Sequence, residues 1–490
     1  MSETAATTRD YTQLVARTVS RDGAFEAGEG AELKVVNGAD EAVVASVPSA
    51  TPAQVDAVLL AAKAAQRTWW RSGPTARATL MRQMATVLRD NTDALADALT
   101  AESGKTRTIT AIEVELSAQY LERNAEWGLR IEGEILPSDT PTEQIHIQRE
   151  PMGVVAAITA WNWPLALLCR KLGPALITGN AVVVKPSEVT PLATIMALQL
   201  WYENLDVPAG LLGLVTGDGS VGQALVRNPV TSLVTFTGHR DTGKRIMADA
   251  SANLTRVALE LGGKAPALVL ADADLQLAVD GLIAARFSFA GETCGAAERI
   301  LVERPVYDQF TRLFTEKAAA LRVGDPRGDV DFGPLVNRAQ LEKVSAAVSA
   351  AVAEGATVVT GGSTPTGADY EKGFWFAPTV LTDVSPDMQV AREETFGPVI
   401  PIMPVDSLDE ALRIANDTRY GLASYVYTSS YASAMTAARE LDFGEMFINR
   451  GPGEAMHAHH AGWKESGLGG EDGKHGLLHY TQLKVVYHNW

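Results

Sequence analysis

From residue 152 onward, short runs rich in valine and isoleucine alternate with segments of helical hydrophobic spacing. The runs at residues 154–158, 181–184, 212–216 and 233–236 are each followed by turn residues and then by a helix-like segment. Strands that alternate with helices in this way form parallel sheets, because a parallel strand pair needs a long crossover connection. We therefore expect a parallel sheet whose ligands bind at the carboxyl ends of its strands.

A second series of the same kind begins near residue 265. Its apolar, strand-like runs lie at residues 266–270, 299–302, 358–359, 399–403 and 425–427. A chain of 490 residues is long enough for two or more domains with their own cores. The sequence therefore predicts two α/β domains.

The N-terminal 130 residues carry helical patterns, and none of their side chains points to chemistry. Thr51 and Pro52 suit the cap and the first position of a long helix. Apolar residues at helical spacing continue through 75–109, which we interpret as further helix, and again through about 112–129. We expect this region to act as scaffold.

Two segments have the alternating pattern of half-exposed strands and interrupt the domains. One lies within residues 133–150, where Ile145-His-Ile147-Gln alternates apolar and polar side chains. The other is the C-terminal Tyr480-Thr-Gln-Leu-Lys-Val-Val-Tyr487. These strands are expected to pair with each other or with another subunit.

The charge and the cysteine content limit the partners and the compartment. The formal net charge of −17 disfavours nucleic acid and anionic membrane surfaces as partners, since both are negatively charged. Two cysteines far apart in the sequence do not form a disulfide framework, so we expect a reducing, cytoplasmic location. The N-terminus lacks the pattern of a signal peptide, and no apolar run is long enough to span a bilayer.

Cys294 is a candidate nucleophile. It lies in Phe289-Ala-Gly-Glu-Thr-Cys294-Gly-Ala-Ala-Glu-Arg299, among small residues that let a substrate approach the thiol. Cys169, in contrast, lies inside an apolar run, as a packing cysteine does. The reactivity of a thiol depends on its pKa, so the local context leaves packing and catalysis as alternatives for Cys294.

Asn162 and Glu260 lie in stretches where their side chains can assist a nucleophile. An amide N–H stabilises a developing oxyanion without delivering a proton, although bonding the backbone of its own turn is the commoner role for such an asparagine. Glu260 lies in an apolar, glycine-bounded stretch, where burial would raise its pKa toward that of a general base. The alternative for Glu260 is a buried carboxylate bonded to the backbone.

Further polar groups follow other strands. Lys185 ends one strand and Glu188 follows on the loop, where they suit a phosphate or ribose, with an exposed ion pair as the alternative. Glu394 lies in Glu393-Glu394-Thr-Phe396-Gly-Pro398, which in isolation is typical of a surface turn.

Two glycine-bearing turns run from a strand into a helix, and each is suited to a diphosphate. Gly217-Asp-Gly219-Ser-Val-Gly222 matches the dinucleotide-binding pattern. Phe236-Thr237-Gly238-His239, with Gly243 in the following segment, offers free backbone N–H groups as well. The patterns predict nucleotide binding and leave the choice between the two turns open.

Together these motifs resemble the NAD(P)-dependent aldehyde dehydrogenase superfamily over nearly the whole chain. The six ordered pieces that carry the resemblance are Trp161-Asn162-Trp-Pro, Val-Lys185-Pro-Ser-Glu188, Phe236-Thr-Gly238, Leu-Glu260-Leu-Gly-Gly-Lys, Gly-Glu-Thr-Cys294 and Glu-Glu394-Thr-Phe396-Gly-Pro. The resemblance implies an α/β fold with a Rossmann-like cofactor domain at 1–130 and 151–262, a catalytic α/β domain at 263–465, and a small β oligomerisation arm at 131–150 and 466–490. It also implies a homo-oligomer, either a dimer or a tetramer.

The resemblance implies a covalent mechanism for the oxidation of an aldehyde to its acid. Cys294 would attack the aldehyde carbon to give a thiohemiacetal, whose oxyanion the Asn162 side chain and the Cys294 N–H would hold. Hydride transfer to the nicotinamide would leave a thioester, which water activated by Glu260 would hydrolyse. Lys171 resembles a family residue proposed to assist proton relay.

The implied cofactor is NAD, with NADP less favoured because Glu188 would repel a 2′-phosphate. The family pattern places Lys185 and Glu188 at the adenosine ribose, and Glu394 and Phe396 at the nicotinamide ribose. The full set of implied cofactor-binding residues is Ile158, Trp161, Lys185, Ser187, Glu188, Gly217, Gly222, Phe236, Thr237, Gly238, His239, Gly243, Leu261, Glu394 and Phe396.

The resemblance also decides between the two glycine turns. The diphosphate of the family lies near Gly238, while the turn at Gly217 and Gly222 lies on the adenine side. His239 departs from the family, where serine is common. A protonated imidazole could replace the hydroxyl contact to the diphosphate.

The C-terminal segments indicate the substrate. Residues 448–467 and 469–477 resemble the lactaldehyde/glycolaldehyde dehydrogenase branch. In that branch the residues matching Arg170, Glu454 and His460 line the aldehyde pocket and bind polar substituents, which implies a small hydroxyaldehyde. The alternatives are another aliphatic, semialdehyde or aromatic aldehyde, and a structural ion pair for Arg170.

Other activities account for fewer of these residues. The histidine cluster His457-Ala-His459-His460 fits no established metal motif, so we predict no catalytic metal. CoA-acylating relatives typically lack a carboxylate at the position of Glu260. A cysteine hydrolase that pairs Cys294 with His460 would leave the nucleotide-binding motifs unexplained, and a non-enzymatic role would leave the catalytic set without a use.

Overall fold

The structure, a computed structural model, describes residues 10–490, and the first third of the chain forms a frame of short strands and long helices. In chain order these elements are α1 (Thr12–Val15), β1 (Val19–Arg21), β2 (Ala24–Glu26), β3 (Glu32–Val36), β4 (Val43–Pro48), α2 (Pro52–Arg71), α3 (Pro74–Asp90), α4 (Thr92–Ser103), α5 (Arg107–Ala125) and a 3₁₀ turn at Glu126–Leu129. Thr51 caps α2 as predicted, since its hydroxyl accepts the Gln54 N–H at 3.3 Å.

The predicted helix over 75–109 is wrong, because the structure divides it. Helix α3 ends at Asp90, and α4 ends at Ser103, where it is capped by Gly104 with φ +75°. Glycine adopts this left-handed conformation at little steric cost and so ends a helix. The next helix, α5, begins at Arg107, before the predicted start, because Thr106 caps it.

The middle of the chain alternates strands with helices, as the sequence predicts. Its elements are β5 (Glu134–Pro137), β6 (Glu143–Pro151), β7 (Val154–Ile158), α6 (Pro164–Ile177), β8 (Ala181–Lys185), α7 (Leu192–Asn204), β9 (Leu212–Leu214), α8 (Gly219–Arg227), β10 (Thr231–Thr237), α9 (Arg240–Ala250), a 3₁₀ turn at Ser251–Asn253 and β11 (Arg256–Glu260).

The second α/β series and the C-terminal elements follow. They are β12 (Ala265–Val269), α10 (Leu275–Phe287), a 3₁₀ turn at Ser288–Gly291, β13 (Ala297–Glu303), α11 (Arg304–Ala319), α12 (Arg338–Glu354), β14 (Thr357–Thr360), a 3₁₀ turn at Ala368–Tyr370, β15 (Thr379–Thr382), α13 (Gln389–Arg392), β16 (Val399–Val405), α14 (Leu408–Asn416), β17 (Tyr420–Gly421), β18 (Ala423–Tyr427), α15 (Tyr431–Glu440), β19 (Glu445–Ile448), β20 (Trp463–Lys464), β21 (Gly467–Leu468), α16 (Gly473–Leu478) and β22 (Thr481–Asn489).

The first sheet has eight strands in the order β2-β1-β9-β8-β7-β10-β11-β21. The five central strands, β9-β8-β7-β10-β11, are parallel to one another. Strand β1 pairs with β9, and β21 pairs with β11, in antiparallel orientation. The chain runs outward from β7 through β8 to β9 and then returns to β10 on the other side. Such a reversal of strand order leaves a crevice at the carboxyl ends of β7 and β10, where open α/β sheets bind their ligands.

The second sheet has seven strands in the order β14-β15-β16-β13-β12-β18-β19 and is parallel except for β14. Only residues 261–264 separate β11 from β12, so the carboxyl edge of the first sheet lies beside the amino edge of the second. Each sheet has a separate cluster of buried apolar side chains. The predicted fold class, two α/β units with parallel sheets, is confirmed.

The two predicted half-exposed strands pair with each other within one chain. Strands β6 and β22 are antiparallel over nine residue pairs, from Glu143 with Asn489 to Pro151 with Thr481, and β5 flanks β6. Part of the segment assigned to the arm, 466–490, lies elsewhere: β21 pairs with β11, and α16 packs on α6. The domain bounds otherwise stay a prediction.

No helix within residues 10–490 is long and apolar enough to cross a membrane.

Candidate active site

The loop that carries Cys294 has a strained backbone. Phe289 and Ala290 have φ of 50° and 49°, and Gly291 has φ of 74°, so three consecutive residues are left-handed. This conformation is unfavourable for residues with a side chain and persists only where the surroundings enforce it. Here the buried Arg286 guanidinium donates to the Gly291 carbonyl at 2.5 Å. The loop thereby presents the half-buried Cys294 ahead of β13.

Asn162 lies in the turn after β7 and is buried. One N–H of its side-chain amide donates to the Glu292 carbonyl at 3.1 Å, which ties this turn to the loop of the thiol. A carboxamide carries two N–H donors, so the second stays available for an oxyanion. Asn162 and Cys294 line the same cavity.

This cavity, of about 120 Å³, lies at the crevice between the two sheets. Its lining consists of Ala160, Trp161, Asn162, Thr237, Gly238, His239, Leu261, Gly262, Cys294, Gln340, Lys343, Glu394 and Phe396. These residues follow β7, β10 and β11 or precede β13 and β16, apart from two on α12. The structure thus brings together the thiol, the amide donor and seven of the predicted cofactor-binding residues.

Glu394 is half-buried and packs against the glycine pair that follows Glu260. Its carboxylate accepts the Gly263 N–H at 2.8 Å, and a Cβ at Gly262 would lie 2.5 Å from it. Burial raises the pKa of Glu394 to about 7. The surface turn that the motif suggests in isolation is therefore wrong, because the segment folds inward toward the first sheet.

The remaining predicted cofactor residues lie on the neighbouring strands of the first sheet. Ile158 ends β7, and Lys185 ends β8 beside it, with the Lys185 ammonium 3.6 Å from Glu188. The Ser187 hydroxyl accepts the Val189 N–H at 3.2 Å.

The first glycine turn lies next to Lys185. A Cβ at Gly222 would lie 3.6 Å from the Lys185 side chain. Gly217 has φ +149°, and a Cβ there would meet Val221 at 2.3 Å, so the turn requires glycine. The strand-to-helix context that the motif needs is present, since α8 begins at Gly219.

The second glycine turn fits a polar ligand. The Thr237 hydroxyl is buried in the cavity lining and, within residues 10–490, has no hydrogen-bond partner. A Cβ at Gly238 would meet the Phe236 ring at 2.4 Å, and one at Gly243 would meet Leu261 at 2.7 Å. The free backbone N–H groups expected at this turn are not all present, because the Gly238 N–H donates to the Glu260 carbonyl at 3.0 Å. The unsatisfied Thr237 hydroxyl is the donor that a phosphate or ribose oxygen would complete.

His239 was expected to contact the cofactor diphosphate as a protonated imidazole, but in the structure its ring accepts a hydrogen bond from the backbone. Its Nδ1 accepts the Asp241 N–H at 3.2 Å and caps α9. Burial lowers the pKa of His239, although Asp241 opposes this shift. The imidazole is therefore neutral with its proton on Nε2, because a protonated Nδ1 could not accept the N–H.

Glu260 ends β11, where only 4% of it is exposed. Neither carboxylate oxygen has a hydrogen-bond partner among the described residues. Burial raises the pKa of Glu260 to about 8, against the opposing charge of His460, whose Nε2 lies 3.8 Å from the carboxylate. Glu260 is thus buried as predicted and does not bond the backbone of the described residues, and its role as a general base stays a prediction.

His460 connects the carboxylates to the thiol. Its Nδ1 donates to Glu445 at 2.9 Å and lies 3.7 Å from Glu454, and the Cys294 side chain is near enough to contribute to the pKa of the imidazole. Burial and Arg170 oppose protonation, but Glu454, Cys294 and Glu445 together raise the pKa of His460 well above its ordinary value. The imidazole is thus charged at neutral pH.

Arg170 and Lys171 are buried on α6 and paired with the C-terminal segment. Arg170 contacts Glu454 at 3.4 Å, Glu471 at 3.2 Å and Asp472 at 2.5 Å. Lys171 forms an ion pair with Glu471. Arg170 therefore makes the structural ion pairs of the alternative role and also adjoins Glu454. The three predicted substrate residues, Arg170, Glu454 and His460, thus form one cluster.

Glu445, Glu454 and His460 lie within 4.8 Å of one another, which is close enough for a shared cation. The cluster already has its own cations, since the charged His460 contacts both carboxylates and Arg170 contacts Glu454. The absence of a catalytic metal stays a prediction.

Comparison with known proteins identifies the fold and the chemistry. The aldehyde dehydrogenase family model matches residues 25–486. The chain belongs to the aldehyde dehydrogenase family. It is therefore an oxidoreductase that acts on aldehydes with a nicotinamide dinucleotide.

Relatives of this aldehyde dehydrogenase include enzymes for several hydroxylated aldehydes. It is 43% identical to the lactaldehyde dehydrogenase of Escherichia coli (strain K12), over 95% of this chain and 97% of that protein. It is 41% identical to the 3,6-anhydro-alpha-L-galactose dehydrogenase of Vibrio sp. (strain EJY3), over 95% and 97%. It is 36% identical to the D-glyceraldehyde dehydrogenase (NADP(+)) of Picrophilus torridus, over 94% of each. The predicted resemblance to the lactaldehyde branch is confirmed.

Solved structures of this aldehyde dehydrogenase family match nearly the whole chain. A 3,6-anhydro-L-galactose dehydrogenase in complex with NADP is 42% identical with a TM-score of 0.95, covering 96% of this chain and 100% of that one. Betaine aldehyde dehydrogenase from Staphylococcus aureus in complex with NAD+ is 33% identical with a TM-score of 0.94, covering 97% and 95%.

Several residues at the site of this aldehyde dehydrogenase escaped the sequence analysis. They are Lys105, Glu113, Gln340, Lys343, Glu445, Glu471 and Asp472. A charged residue in a strand that is otherwise apolar, as Glu445 is in Glu445–Ile448, could have signalled a buried role. Gln340 and Lys343 lie on an ordinary amphipathic helix, which gives no such signal.

Proposed function

We propose that this enzyme oxidises a small hydroxyaldehyde of the lactaldehyde or glycolaldehyde type to its carboxylic acid, with NAD as the preferred cofactor. The observation that carries the proposal is the cluster of Arg170, Glu454 and His460, which lies next to the thiol. Charged donors and acceptors in such a position suit a substrate that carries a hydroxyl group and discriminate against one that lacks it. The lactaldehyde and D-glyceraldehyde dehydrogenases among the relatives support the same substrate class.

Cys294 would begin the reaction by attacking the aldehyde carbon. The proton of the thiol would pass to the ionised form of Glu260, which lies 3.8 Å from His460, and the nearby charge of His460 would stabilise the thiolate that results. The carbonyl oxygen becomes an oxyanion, which receives the second N–H of the Asn162 amide. The Cys294 backbone N–H is the proposed second donor.

The cofactor, when bound, accepts the hydride from the carbon attached to Cys294. Trp161, Glu394 and Phe396 are the residues proposed to hold its nicotinamide ribose end, and the turn at Gly238 its diphosphate. The 120 Å³ cavity that these residues share with Cys294 supports this orientation.

Glu260 is the proposed base for hydrolysis of the thioester. A carboxyl with a pKa near 8 binds a water proton more readily than an ordinary glutamate does, once it is itself deprotonated. Its two oxygens have no hydrogen bond among the described residues, so they are free for a water molecule. Lys171 and Glu471 form the proposed path by which that proton leaves.

The preference for NAD rests on Glu188. Its carboxylate, next to Lys185 at the carboxyl end of β8, would face a 2′-phosphate with like charge. The NADP complex of one similar structure and the NADP(+) in the name of one relative favour the second candidate, use of both cofactors.

The compartment and the assembly are also proposals. Both cysteines are free, which suits a reducing cytoplasm. The three-stranded sheet of β5, β6 and β22 exposes apolar side chains on its surface, which supports its role as an oligomerisation arm.

The test is the rate of NADH formation by the purified enzyme with matched aldehydes. L-lactaldehyde and propanal have the same carbon chain and differ by one hydroxyl, and glycolaldehyde, succinic semialdehyde and benzaldehyde extend the comparison. We expect kcat/KM for L-lactaldehyde to exceed that for propanal by at least about 100-fold. We also expect kcat/KM for NAD to exceed that for NADP.

Controls separate the chemistry from the substrate. Cys294→Ala is expected to form no NADH, and added CoA is expected to leave the wild-type rate unchanged. Equal rates on propanal and L-lactaldehyde would overturn the substrate class while leaving aldehyde oxidation intact. NADH formation only with CoA would instead overturn hydrolysis by Glu260.

A further inference from the structure

A buried lysine of the N-terminal helical region contacts the turn between β7 and α6 that carries Asn162 and Trp163, here called the oxyanion turn. Lys105 follows the left-handed Gly104 at the end of α4 and is 1% exposed. Its ammonium donates to the Asn162 backbone carbonyl at 2.7 Å and forms an ion pair with Glu113 of α5. Asn162 therefore receives a charge-assisted hydrogen bond on its backbone, directly adjoining its catalytic side chain.

The same ammonium contacts aromatic rings from two loops. It lies 4.5 Å from the centre of the Trp163 ring and 4.8 Å from that of Phe289. Cations this close to ring faces are attracted to them, and more strongly where water is excluded. Trp163 belongs to the oxyanion turn and Phe289 to the strained loop before Cys294. Lys105 thus contacts both loops that form the reaction centre.

Glu113, the ion-pair partner of Lys105, also bonds the start of helix α6. One of its oxygens accepts the N–H groups of Leu165 and Ala166 at 3.0 and 3.3 Å. These belong to the first turn of α6, where N–H groups lack intrahelical partners, and the N-cap residue Trp163 makes no side-chain cap. A carboxylate at this end also suits the helix dipole. Helix α6 carries Arg170 and Lys171, so Glu113 fixes the start of that helix.

We propose that Lys105 is a positioning residue for catalysis, which holds the Asn162 amide against the Cys294 loop, and that Glu113 fixes both Lys105 and the start of α6. The inference rests on the proposed role of Asn162 as the oxyanion donor. Nothing in Lys105 touches the aldehyde or the cofactor cavity, so its effect passes through Asn162.

The expected size follows from what the oxyanion donor contributes. Removal of one such donor lowers the rate by about 100- to 1,000-fold, and a site must hold its groups to within about 0.5 Å to work fully. Lys105→Met should displace the donor without removing it. We expect a loss of about 10- to 100-fold in the rate of the first turnover, with KM for aldehyde and NAD changed by less than about 3-fold.

The decisive measurement compares Lys105→Met in two backgrounds. Stopped-flow absorbance of the first NADH turnover is recorded for the wild type, Lys105→Met, Asn162→Ala and the double variant. If Lys105 acts through Asn162, its substitution slows the wild type by about 10- to 100-fold and slows the Asn162→Ala enzyme by less than about 3-fold. Equal slowing in both backgrounds, or none in the wild type, overturns the inference.

A second variant guards against misfolding. Lys105→Met alone leaves the Glu113 carboxylate buried without its cation, whereas Lys105→Met/Glu113→Gln removes both charges. The double variant should recover thermal stability while its first turnover stays slow. Recovery of the full rate would show that Lys105 only balances charge, which overturns the inference.

Arg89→Met is the matched control for general weakening of the helical region. Arg89 joins α3 to α5 through Glu115 and Glu122 on the exposed face of α5, whereas Glu113 lies on its buried face. It should lower stability and leave the first turnover at the wild-type rate. If Asn162→Ala itself keeps the wild-type rate, the oxyanion assignment is wrong and this inference falls with it. If only the Lys105 comparison fails, the proposed function stands.

Discussion

Glu260 and Glu471 are both buried glutamates near the thiol, yet their environments shift their pKa values in opposite directions. Burial raises the pKa of Glu260 to about 8, because its oxygens receive no hydrogen bond among the described residues. Burial acts on Glu471 as well, but the Lys171 and Arg170 cations outweigh it and lower the pKa. Such a separation of pKa values favours Glu260 as the base that takes up a proton and Glu471 as a carboxylate that stays ionised.

The first prediction concerns the pH dependence of turnover. Glu260 is a base only when deprotonated, so its pKa near 8 predicts a kcat that rises with pH through about 8. Glu260→Gln should lose this rise and lower kcat by at least about 100-fold, within the range of general base catalysis. Both effects are measured by the steady-state rate of NADH formation from pH 6 to 10. A first turnover that stays fast in Glu260→Gln would place the defect in hydrolysis, and an unchanged pH profile would contradict the assignment.

The second prediction concerns substrate selection. Glu454→Gln removes a charge next to His460 and Arg170 but keeps the size of the side chain. We expect kcat/KM for L-lactaldehyde to fall by about 100-fold, because the substrate hydroxyl loses its negatively charged acceptor, and that for propanal to change by less than about 3-fold. The ratio of the two rates in one preparation is the measurement. A parallel loss on both substrates would assign Glu454 to the chemistry or the fold instead.

The sequence predicted those site residues whose function depends on a local motif. Cys294, Asn162 and Glu260 each lie in a short segment with the turn or burial that their chemistry needs. Glu445 and Glu471 act only through contacts with residues distant in the chain, such as Lys171, which is 300 positions from Glu471. Spacing and periodicity carry no information about such pairs.

At the scale of secondary-structure elements, strand β13 connects the loop that carries Cys294 to the loop that carries Glu394 and Phe396. Glu298 of β13 bonds Lys264 at 2.6 Å and accepts the N–H groups of Thr395 and Phe396 at 3.0 and 3.1 Å. It also pairs with Arg286, which holds the loop before Cys294. Although burial opposes the shift, these cations lower the pKa of Glu298 to about 2.

The third prediction follows from this junction. Glu298→Gln leaves two buried cations short of their partner, so the free energy of unfolding should fall by about 3–5 kcal/mol at neutral pH. A carboxyl with a lowered pKa stabilises the fold above about 4.5, and the difference between wild type and variant should shrink as the pH falls from 4.5 toward 2. KM for NAD should rise, since Phe396 loses its anchor.

Urea unfolding and steady-state kinetics test this prediction. Glu303→Gln, at the carboxyl end of the same strand, is the control, because the Glu303 side chain accepts only the exposed Ala271 N–H among residues 10–490. If KM for NAD rises equally in both variants, Glu298 has no special role in holding Phe396 for the cofactor.

Elements with strong periodicity were predicted well, and their boundaries less so. The parallel strands β7, β8, β10 and β12 coincide with their apolar runs, since burial on both faces leaves little polar interruption. The break between α3 and α4 was missed, because a continuous apolar face outweighed the stop signals at Asn91 and Gly104. Helix periodicity reports the buried face and does not report a change of axis.

At the scale of the whole molecule, the arm is a thin sheet attached to two globular units. Leu483, Val485 and Tyr487 lie on alternate positions of β22 and are 58%, 47% and 65% exposed. An exposed row of apolar side chains on a strand is typical of an interface with another chain. Lys484 lies between them on the opposite side and pairs with Glu150.

The fourth prediction tests this surface in assembly. Leu483→Glu with Tyr487→Glu places two like charges on the apolar row and should reduce the oligomer to smaller species. Size-exclusion chromatography with light scattering measures the mass, with Lys484→Gln as the control on the opposite side. An unchanged mass would assign the oligomer contact to another surface.

The return of the C-terminal segment to the first sheet has a consequence for biosynthesis. Arg170 and Lys171 are made early, but Glu471 leaves the ribosome 300 residues after Lys171. At elongation rates of about 5–20 residues per second, this delay is about 15–60 s. During that time the nascent first domain lacks the edge strand β21 and holds two cations without their carboxylates. The domain therefore reaches its final form only near the end of translation, and chaperones have that interval in which to bind it.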